Sequence, residues 1–152
     1  MFSNHSRAVF ASALLGGLAL VPSLGAQSVK PVHWQHTDAT LTWAPCPPIF
    51  PKGCEVAVLH GDPAAGPSDV FLRIPSDYTF PSHTHTSAEH IVLVKGVLHV
   101  FQPGGAPAEM KEGSFGLLTG KQAHGAHCAG SAGCVLFIHF DSPIDAALAT
   151  QP

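Results

Sequence analysis

The sequence predicts an all-β domain of the sandwich or barrel class. From residue 55 onward, short segments rich in Val, Ile, Leu and Phe follow one another. Gly and Pro punctuate almost every gap between these segments at intervals of about ten residues, a spacing typical of sandwiches and barrels. Fifteen glycines and fourteen prolines among 152 residues make a long helix improbable. We therefore expect one β domain, without an internal repeat.

Six segments have the composition of strands, at 55–60, 69–74, 90–94, 97–101, 114–118 and 134–140. A polar arm at 27–45, which contains Trp34 and Trp43, leads into the domain proper at 46–141. We expect the tail at 142–152 either to add one helical turn around 144–148 or to have no regular structure.

The first 26 residues have the pattern of a signal peptide. A short positive region with Arg7 precedes an apolar run at 8–21, and small residues precede a cleavage point near Ala26. The run is shorter than the roughly 20 residues that a membrane-spanning helix needs. Leu24 is large for the third place before the cut, which leaves an N-terminal membrane anchor as the alternative. We expect a periplasmic or secreted protein with no stable membrane span after cleavage.

The charge balance excludes nucleic acid as an expected partner. The formal net charge is −3, and no run of like charge occurs. Eleven histidines in a chain that is only 11% charged are unusual. This balance indicates metal or proton chemistry.

Four cysteines in an exported chain favour disulfides over free thiols. Three pairings are possible, and the simplest joins Cys46 to Cys54 and Cys128 to Cys134, because each pair flanks a short loop. A thiolate metal site is the alternative, but the spacings do not match paired Cys-x-x-Cys knuckles.

The segment from His83 to His90 holds the densest group of metal-ligating side chains. In an extended chain His83 and His85 point to the same side, about 6–7 Å apart, close enough to share one ion. Glu89 has the same parity and reaches the site even if a bend precedes it, whereas His90 is expected to face away. A fourth ligand comes from either His124 or His127, and spacing alone does not choose between them.

These residues resemble the motifs of the cupin superfamily. The first motif, G-x5-H-x-H-x3,4-E-x6-G, is matched at its last four fixed positions by His83, His85, Glu89 and Gly96. The second motif, G-x5-P-x-G-x2-H-x3-N, aligns with Gly113 and His124, and so favours His124 over His127. Four motif positions hold other residues, namely Asp77, Thr119, Lys121 and Cys128. None of these replacements removes a ligand.

Outside the motifs, Trp43-Ala44-Pro45, Pro51-Lys52-Gly53 and residues 57–63 resemble the lead-in of small bacterial single-domain cupins. The resemblance therefore covers about residues 40–141. It implies a double-stranded β-helix, also called a jelly-roll barrel, with a metal site inside. The implied ligands are His83, His85, Glu89 and His124, which hold one divalent transition metal ion (Cu, Zn, Fe, Mn or Ni) and leave about two positions of an octahedron open. Metal acquired outside the cytoplasm favours copper or zinc, which we state as a hypothesis.

Three functions fit such a site with a small-molecule ligand or substrate. The first is a dioxygenase-like oxidoreductase, the second an isomerase or lyase, and the third a non-catalytic binding or sensing module. The carboxylate of Glu89 argues against the three-histidine thiol dioxygenases. Candidate general bases for an isomerase or lyase are Tyr78, His60, His99 and His127. A homodimer is a further expectation, either through an outer sheet face or through the arm.

The cavity of a cupin is lined by alternate residues of several strands, so its lining depends on the phase of each strand. The candidates are Phe71, Arg73, Phe80, Val92, Phe101, Phe115, Phe137 and His139.

Overall fold

A computed structural model describes residues 31–149 and confirms the all-β prediction. No helix occurs among these residues, so none is long and apolar enough to cross a membrane. The signal-peptide prediction for residues 1–26 lies outside the described part of the chain. The eleven strands are β1 (Ala44–Pro45), β2 (Glu55–Gly61), β3 (Ser68–Ile74), β4 (Thr79–Thr84), β5 (Glu89–Lys95), β6 (Val97–Phe101), β7 (Ala108–Lys111), β8 (Phe115–Leu118), β9 (His124–Ala129), β10 (Cys134–Phe140) and β11 (Ala147–Leu148).

The strands form two antiparallel sheets that face each other. The first has the order β1-β2-β3-β10-β5-β8, and the second has the order β11-β4-β9-β6-β7. From β3 to β6, and again from β7 to β10, the chain passes back and forth between the sheets. This winding is the double-stranded β-helix that the sequence predicts.

The interior between the sheets is filled by alternate residues of the long strands. In β3 the inward residues are Val70, Leu72 and Ile74, and their partners in β10 include Leu136 and Ile138. The core is therefore aliphatic on the side of the six-stranded sheet. This apolar burial is the main source of stability of the barrel.

The predicted cavity lining is wrong for every candidate except Phe80. Side chains in a strand alternate between faces, and the predicted inward residues of β3 and β10 differ by one position from those that face the cavity. Phe71 and Phe137 are directly opposite each other on the outer face, with ring centroids 6.3 Å apart. The other outward candidates are Arg73, Val92, Phe101, Phe115 and His139.

The described part of the tail, residues 142–149, forms no helical turn. Residues Ala147 and Leu148 pair instead with Thr84 and His83 of β4, so paired strand extends beyond residue 141. A two-residue strand is favoured here because it adds backbone hydrogen bonds to an otherwise open sheet edge.

Two disulfides confirm the predicted pairing. Cys46 is bonded to Cys54, and Cys128 to Cys134, with Cα–Cα distances of 5.6 and 5.9 Å. The second bond joins β9 to β10, which belong to different sheets. The first closes the loop that carries Phe50. Disulfides of this kind are typical of an oxidising compartment.

Two residues that replace motif glycines keep the backbone conformation that glycine favours. Asp77 and Lys121 have φ angles of 60° and 67°, and both stand where the cupin motifs have glycine. The Lys121 N–H donates to the carbonyl of His85, at 2.7 Å. The backbone at these two positions is therefore retained even though their glycines are replaced, whereas the motif glycines Gly96 and Gly113 are present.

Candidate metal centre

Three histidines converge inside the barrel. His83 lies near the end of β4, His85 directly follows that strand, and His124 begins β9. His83 and His124 are register partners, which brings their ring centroids to 4.4 Å. Each of the three side chains offers a nitrogen within 4.8 Å of the other two, and all three are at least 92% buried.

Backbone carbonyls hold the three imidazoles in one tautomer. Nδ1 of His83 lies 2.8 Å from the carbonyl of Pro81, and Nδ1 of His124 lies 3.0 Å from that of Gln122. Nδ1 of His85 meets the carbonyl of Asp145, 60 residues along the chain. A carbonyl only accepts hydrogen bonds, so each neutral ring carries its proton on Nδ1 and a lone pair on Nε2. Such anchoring is the usual support of a metal-binding histidine.

Glu89 brings a carboxylate to this group from the opposite sheet. Its Oε2 lies 3.0 Å from Nε2 of His124, and its Oε1 lies 3.6 Å from Nε2 of His85. The side chain is buried, and Oε2 makes no regular hydrogen bond within residues 31–149, although Nε2 of His124 lies close to it. A buried carboxylate oxygen that faces imidazole lone pairs is unfavourable unless a cation or a proton lies between them. The donor set therefore fits a divalent metal ion.

Burial and mutual contacts change the pKa values of these groups. Burial lowers the pKa of His83 to about 4, so this ring is neutral at neutral pH. Burial also acts to lower the pKa of His124, but the contact with Glu89 outweighs it and raises that pKa. For Glu89, burial acts to raise the pKa, and the neighbouring His124 and His85 lower it overall. In the metal-free site the carboxylate of Glu89 is therefore ionised and the ring of His83 is neutral, whereas the raised pKa of His124 favours its protonated form.

A cavity of about 500 Å³ adjoins the four side chains. Apart from His83, His85, Glu89 and His124, the side chains that line it are apolar or belong to the Cys46–Cys54 disulfide. Bulky members of the wall are Phe50, Phe80, Ile91, Leu136, Ile138 and Phe140. Exposed residues such as Pro47, Pro48 and Ala64 also line the cavity, so it opens to solvent.

The fold and this site agree with the sequence comparison. A family model described as the ChrR cupin-like domain matches residues 32–142. The chain belongs to that cupin family. The family membership that the motif residues predict is thereby confirmed.

Solved structures similar to this cupin share its fold at low sequence identity. A cupin-2 domain protein from Rhodospirillum rubrum is 13% identical, with a TM-score of 0.62, and the match covers 81% of this chain and 84% of that one. The polyketide cyclase RemF from Streptomyces resistomycificus is 16% identical, with a TM-score of 0.61 and coverages of 82% and 88%. The DMSP lyase DddQ from Ruegeria pomeroyi is 13% identical, with a TM-score of 0.60 and coverages of 73% and 62%. Comparison with curated proteins gives no match.

The structure places His124 and not His127 beside His83 and His85. His127 lies on the outer face of the five-stranded sheet, where its Nδ1 is 3.0 Å from the hydroxyl of Thr79. His90 also faces outward, as its parity predicts.

None of the four candidate general bases of this cupin lines the cavity. The hydroxyl of Tyr78 donates to the carbonyl of Pro51, at 2.5 Å, and lies near the Cys46–Cys54 disulfide. His60 and His99 lie on outer faces, beside Asp69 and Glu109 respectively. These side chains point outward or pack away from the cavity, so the structure brings none of them to the metal centre.

Sequence reasoning missed two groups that complete the site. Asp145 supports His85 through its carbonyl, and its carboxylate accepts from the amide and hydroxyl of Thr86, at 2.7 and 2.5 Å. Phe50 packs edge-on against His83, with ring centroids 4.8 Å apart. Both residues come from loops far from the motifs, and no local pattern marks them.

Proposed function

We propose that this cupin binds one divalent transition metal ion through His83, His85, Glu89 and His124 and acts as a dioxygenase-like oxidoreductase on a small organic molecule. One observation carries the proposal. Three carbonyl-anchored imidazoles and an unpartnered buried carboxylate converge at the wall of an apolar, solvent-open cavity.

The metal would supply Lewis-acid and redox chemistry while leaving positions for exogenous ligands. The residues supply orientation and charge. The carbonyls of Pro81, Gln122 and Asp145 hold the Nε2 lone pairs in place, and the carboxylate of Glu89 offsets part of the ion's charge. The apolar wall excludes water around the reacting groups.

The cavity also supports a substrate class. Within the part of the chain that the structure describes, no Lys, Arg, Ser, Thr, Asn or Gln lines it. A sugar or a second carboxylate would leave polar atoms without partners there, at a cost of about 1–3 kcal/mol each. We therefore expect one polar, chelating end at the metal and an apolar body along Phe80 and Ile138, as in a substituted diketone or catechol.

An isomerase or lyase is the less favoured alternative. Such reactions use a positioned general base. In the cavity only the proposed ligands themselves are titratable, so a base would have to be one of them or a bound water. Lyase and cyclase activities belong to the similar proteins named above. At such low identity, the similarity supports a shared fold and not a shared activity.

A non-catalytic binding or sensing module is the second alternative. The same cavity would hold a metal and its organic ligand without turnover. Oxygen uptake with a panel of diketones, flavonoids and catechols separates the two possibilities. Uptake that disappears in His83→Ala and persists in His127→Ala supports the oxidoreductase, and binding without uptake across the panel supports the module.

Copper or zinc is the metal that we propose for the native protein, because both stand high in the Irving–Williams order and an exported chain loads outside cytosolic control. Only copper would support the oxidoreductase, because zinc has no redox chemistry and fits the lyase or the binding module instead. Elemental analysis of protein from its native envelope tests this point. Stoichiometric iron or manganese would contradict it.

Export itself remains part of the proposal. The disulfides support an oxidising compartment. Mass spectrometry of the mature protein should give an N-terminus close to residue 27. An uncleaved chain that fractionates with membranes would support the anchor instead.

We also propose a homodimer across the six-stranded sheet. Phe115 and Leu117 are exposed by 63% and 51% on its outer face, beside the outward Val92. Burying these side chains against a second copy would remove apolar surface from water. Trp43, by contrast, packs under the guanidinium of Arg73 in the same chain, at 4.1 Å, which does not favour exchange of the arm. Size-exclusion chromatography should show a dimer that Phe115→Lys converts to a monomer.

A further inference from the structure

We propose a second metal site on the outer face of the six-stranded sheet, made by His90, His139 and Asp141. It would take a divalent transition metal ion such as Zn²⁺. This site is separate from the centre inside the barrel, and it does not rest on the proposed function.

The site belongs to a row of polar residues that runs across four neighbouring strands. His60 of β2 pairs with Asp69 of β3, Asp69 with His139 of β10, and His139 with His90 of β5. Asp141 follows His139 by two residues. We call these five residues the outer histidine row.

Two imidazoles of the row converge on one carboxylate oxygen. Nε2 of His90 lies 3.3 Å, and Nε2 of His139 lies 3.4 Å, from the same Oδ1 of Asp141. Two ligands that each bind Zn²⁺ at about 2.0–2.1 Å in a tetrahedron are separated by about 3.3 Å. Each nitrogen-to-oxygen separation is therefore that of two ligands on one small ion, whereas the two Nε2 atoms lie more than 4.8 Å apart and must come closer to share it.

Asp69 gives His139 the outer support that metal-binding histidines commonly have. Its Oδ1 lies 2.7 Å from Nδ1 of His139, so the proton of the neutral ring lies on Nδ1 and the lone pair on Nε2 points toward Asp141. Without a cation or a proton between them, that lone pair faces a carboxylate oxygen. This repeats, on the surface, the arrangement of His124 and Glu89 inside the barrel.

The rings can close on an ion because they are partly exposed. The side chains of His90 and His139 are 40% and 38% accessible, and their ring centroids are 5.7 Å apart. Binding of one ion by both rings requires a rotation that brings the two Nε2 atoms nearer to each other. Two nitrogens and one oxygen leave at least one position for water or another ligand.

The other outer face offers a comparison. His99 and His127 are also cross-strand partners, with ring centroids 6.2 Å apart. Nε2 of His99 meets Glu109, whereas His127 meets Asp77 and Thr79. Because these rings share no carboxylate, we expect no site there. His60 serves as a control within the row, since it contacts Asp69 on the side away from Asp141.

Zinc bound per chain, measured by equilibrium dialysis of the full chain in competition with a chelator, tests the proposal. His90→Ala, His139→Ala and Asp141→Asn should each bind one zinc ion fewer than the wild type. Asp69→Asn should weaken the binding of that ion by about tenfold or more, because His139 loses the carboxylate that supports its Nδ1. His60→Ala and His99→Ala should keep the wild-type count.

The inner site has its own variant, His124→Ala, which should lose a different ion and keep the outer one. If the inner site fails to bind zinc, the outer variants still lower the count by one. An unchanged count in His139→Ala and His90→Ala would overturn the proposal. An equal loss in His60→Ala would also overturn it, because it would indicate general binding to surface histidines.

Discussion

Oε2 of Glu89 lies 3.0 Å from Nε2 of His124, although the two residues begin strands of different sheets. The contact spans the interior of the barrel and leaves the carboxylate oxygen without a hydrogen bond. A cation bound between these groups would satisfy both of them.

Glu89→Gln should weaken metal binding by more than about tenfold. Loss of a group that only supports a ligand already costs about tenfold, and Glu89 is itself a proposed ligand. The amide keeps the shape of the side chain but removes its negative charge. Competition with a chromophoric chelator measures the affinity. Glu112→Gln, an exposed change away from the site, should leave it unaltered.

The metal-free protein should lose stability as the pH falls from about 6.5 to about 4. The pKa of His83 is about 4 in the fold, below its ordinary value of 6.5, so the unfolded chain binds more protons within this window. Neutral His83 contributes at most about 3 kcal/mol to the free energy of unfolding. This contribution is fully present above pH 6.5 and is lost as the pH falls to about 4. Urea unfolding across this range should show a shallower pH dependence in His83→Leu, and equal slopes would contradict the assignment.

Asp145→Ala should lower both stability and metal affinity. The carboxylate accepts two hydrogen bonds from Thr86, which directly follows His85. Their loss should cost about 1 kcal/mol or more in the free energy of unfolding and loosen the loop that holds His85. Thermal unfolding of the metal-free and metal-loaded forms measures the two effects. Asp62→Ala, at another exposed turn, should not change the metal affinity.

Lys121→Gly should stabilise the fold by about 0.5–1 kcal/mol. Lys121 has a φ of 67°, a conformation that costs a side chain about 1–2 kcal/mol, partly offset by the greater freedom of glycine in the unfolded chain. Lys111→Gly, inside β7, should instead destabilise by a similar amount. If both changes destabilise the fold, other contacts of Lys121 offset the cost of its backbone conformation.

The sequence predicted six strands because each has a clear apolar composition, and all six are present with small shifts at their ends. It missed β4, β7 and β9 and the two-residue strands β1 and β11. Strands β4 and β9 carry histidine, proline and glycine where other strands carry Val or Ile, since they supply His83 and His124 of the candidate metal centre. These two strands therefore lack the apolar composition that marks the others.

Motif spacing selected His124, but the cavity lining could not be obtained in the same way. One residue of phase decides whether Phe137 or Ile138 faces inward, and both are apolar. The support of His85 by Asp145 depends on a contact 60 residues apart in sequence. Such contacts follow from the closed barrel and not from any local pattern.

Anomalous diffraction from crystals of the metal-loaded protein locates the bound ion. We expect a peak inside the barrel, within about 2–2.3 Å of Nε2 of His83, His85 and His124 and of a carboxylate oxygen of Glu89. The same crystals of His124→Ala should lack that peak, and those of His127→Ala should keep it. If metal-loaded crystals show no anomalous peak among these four side chains, the four residues do not form the metal site.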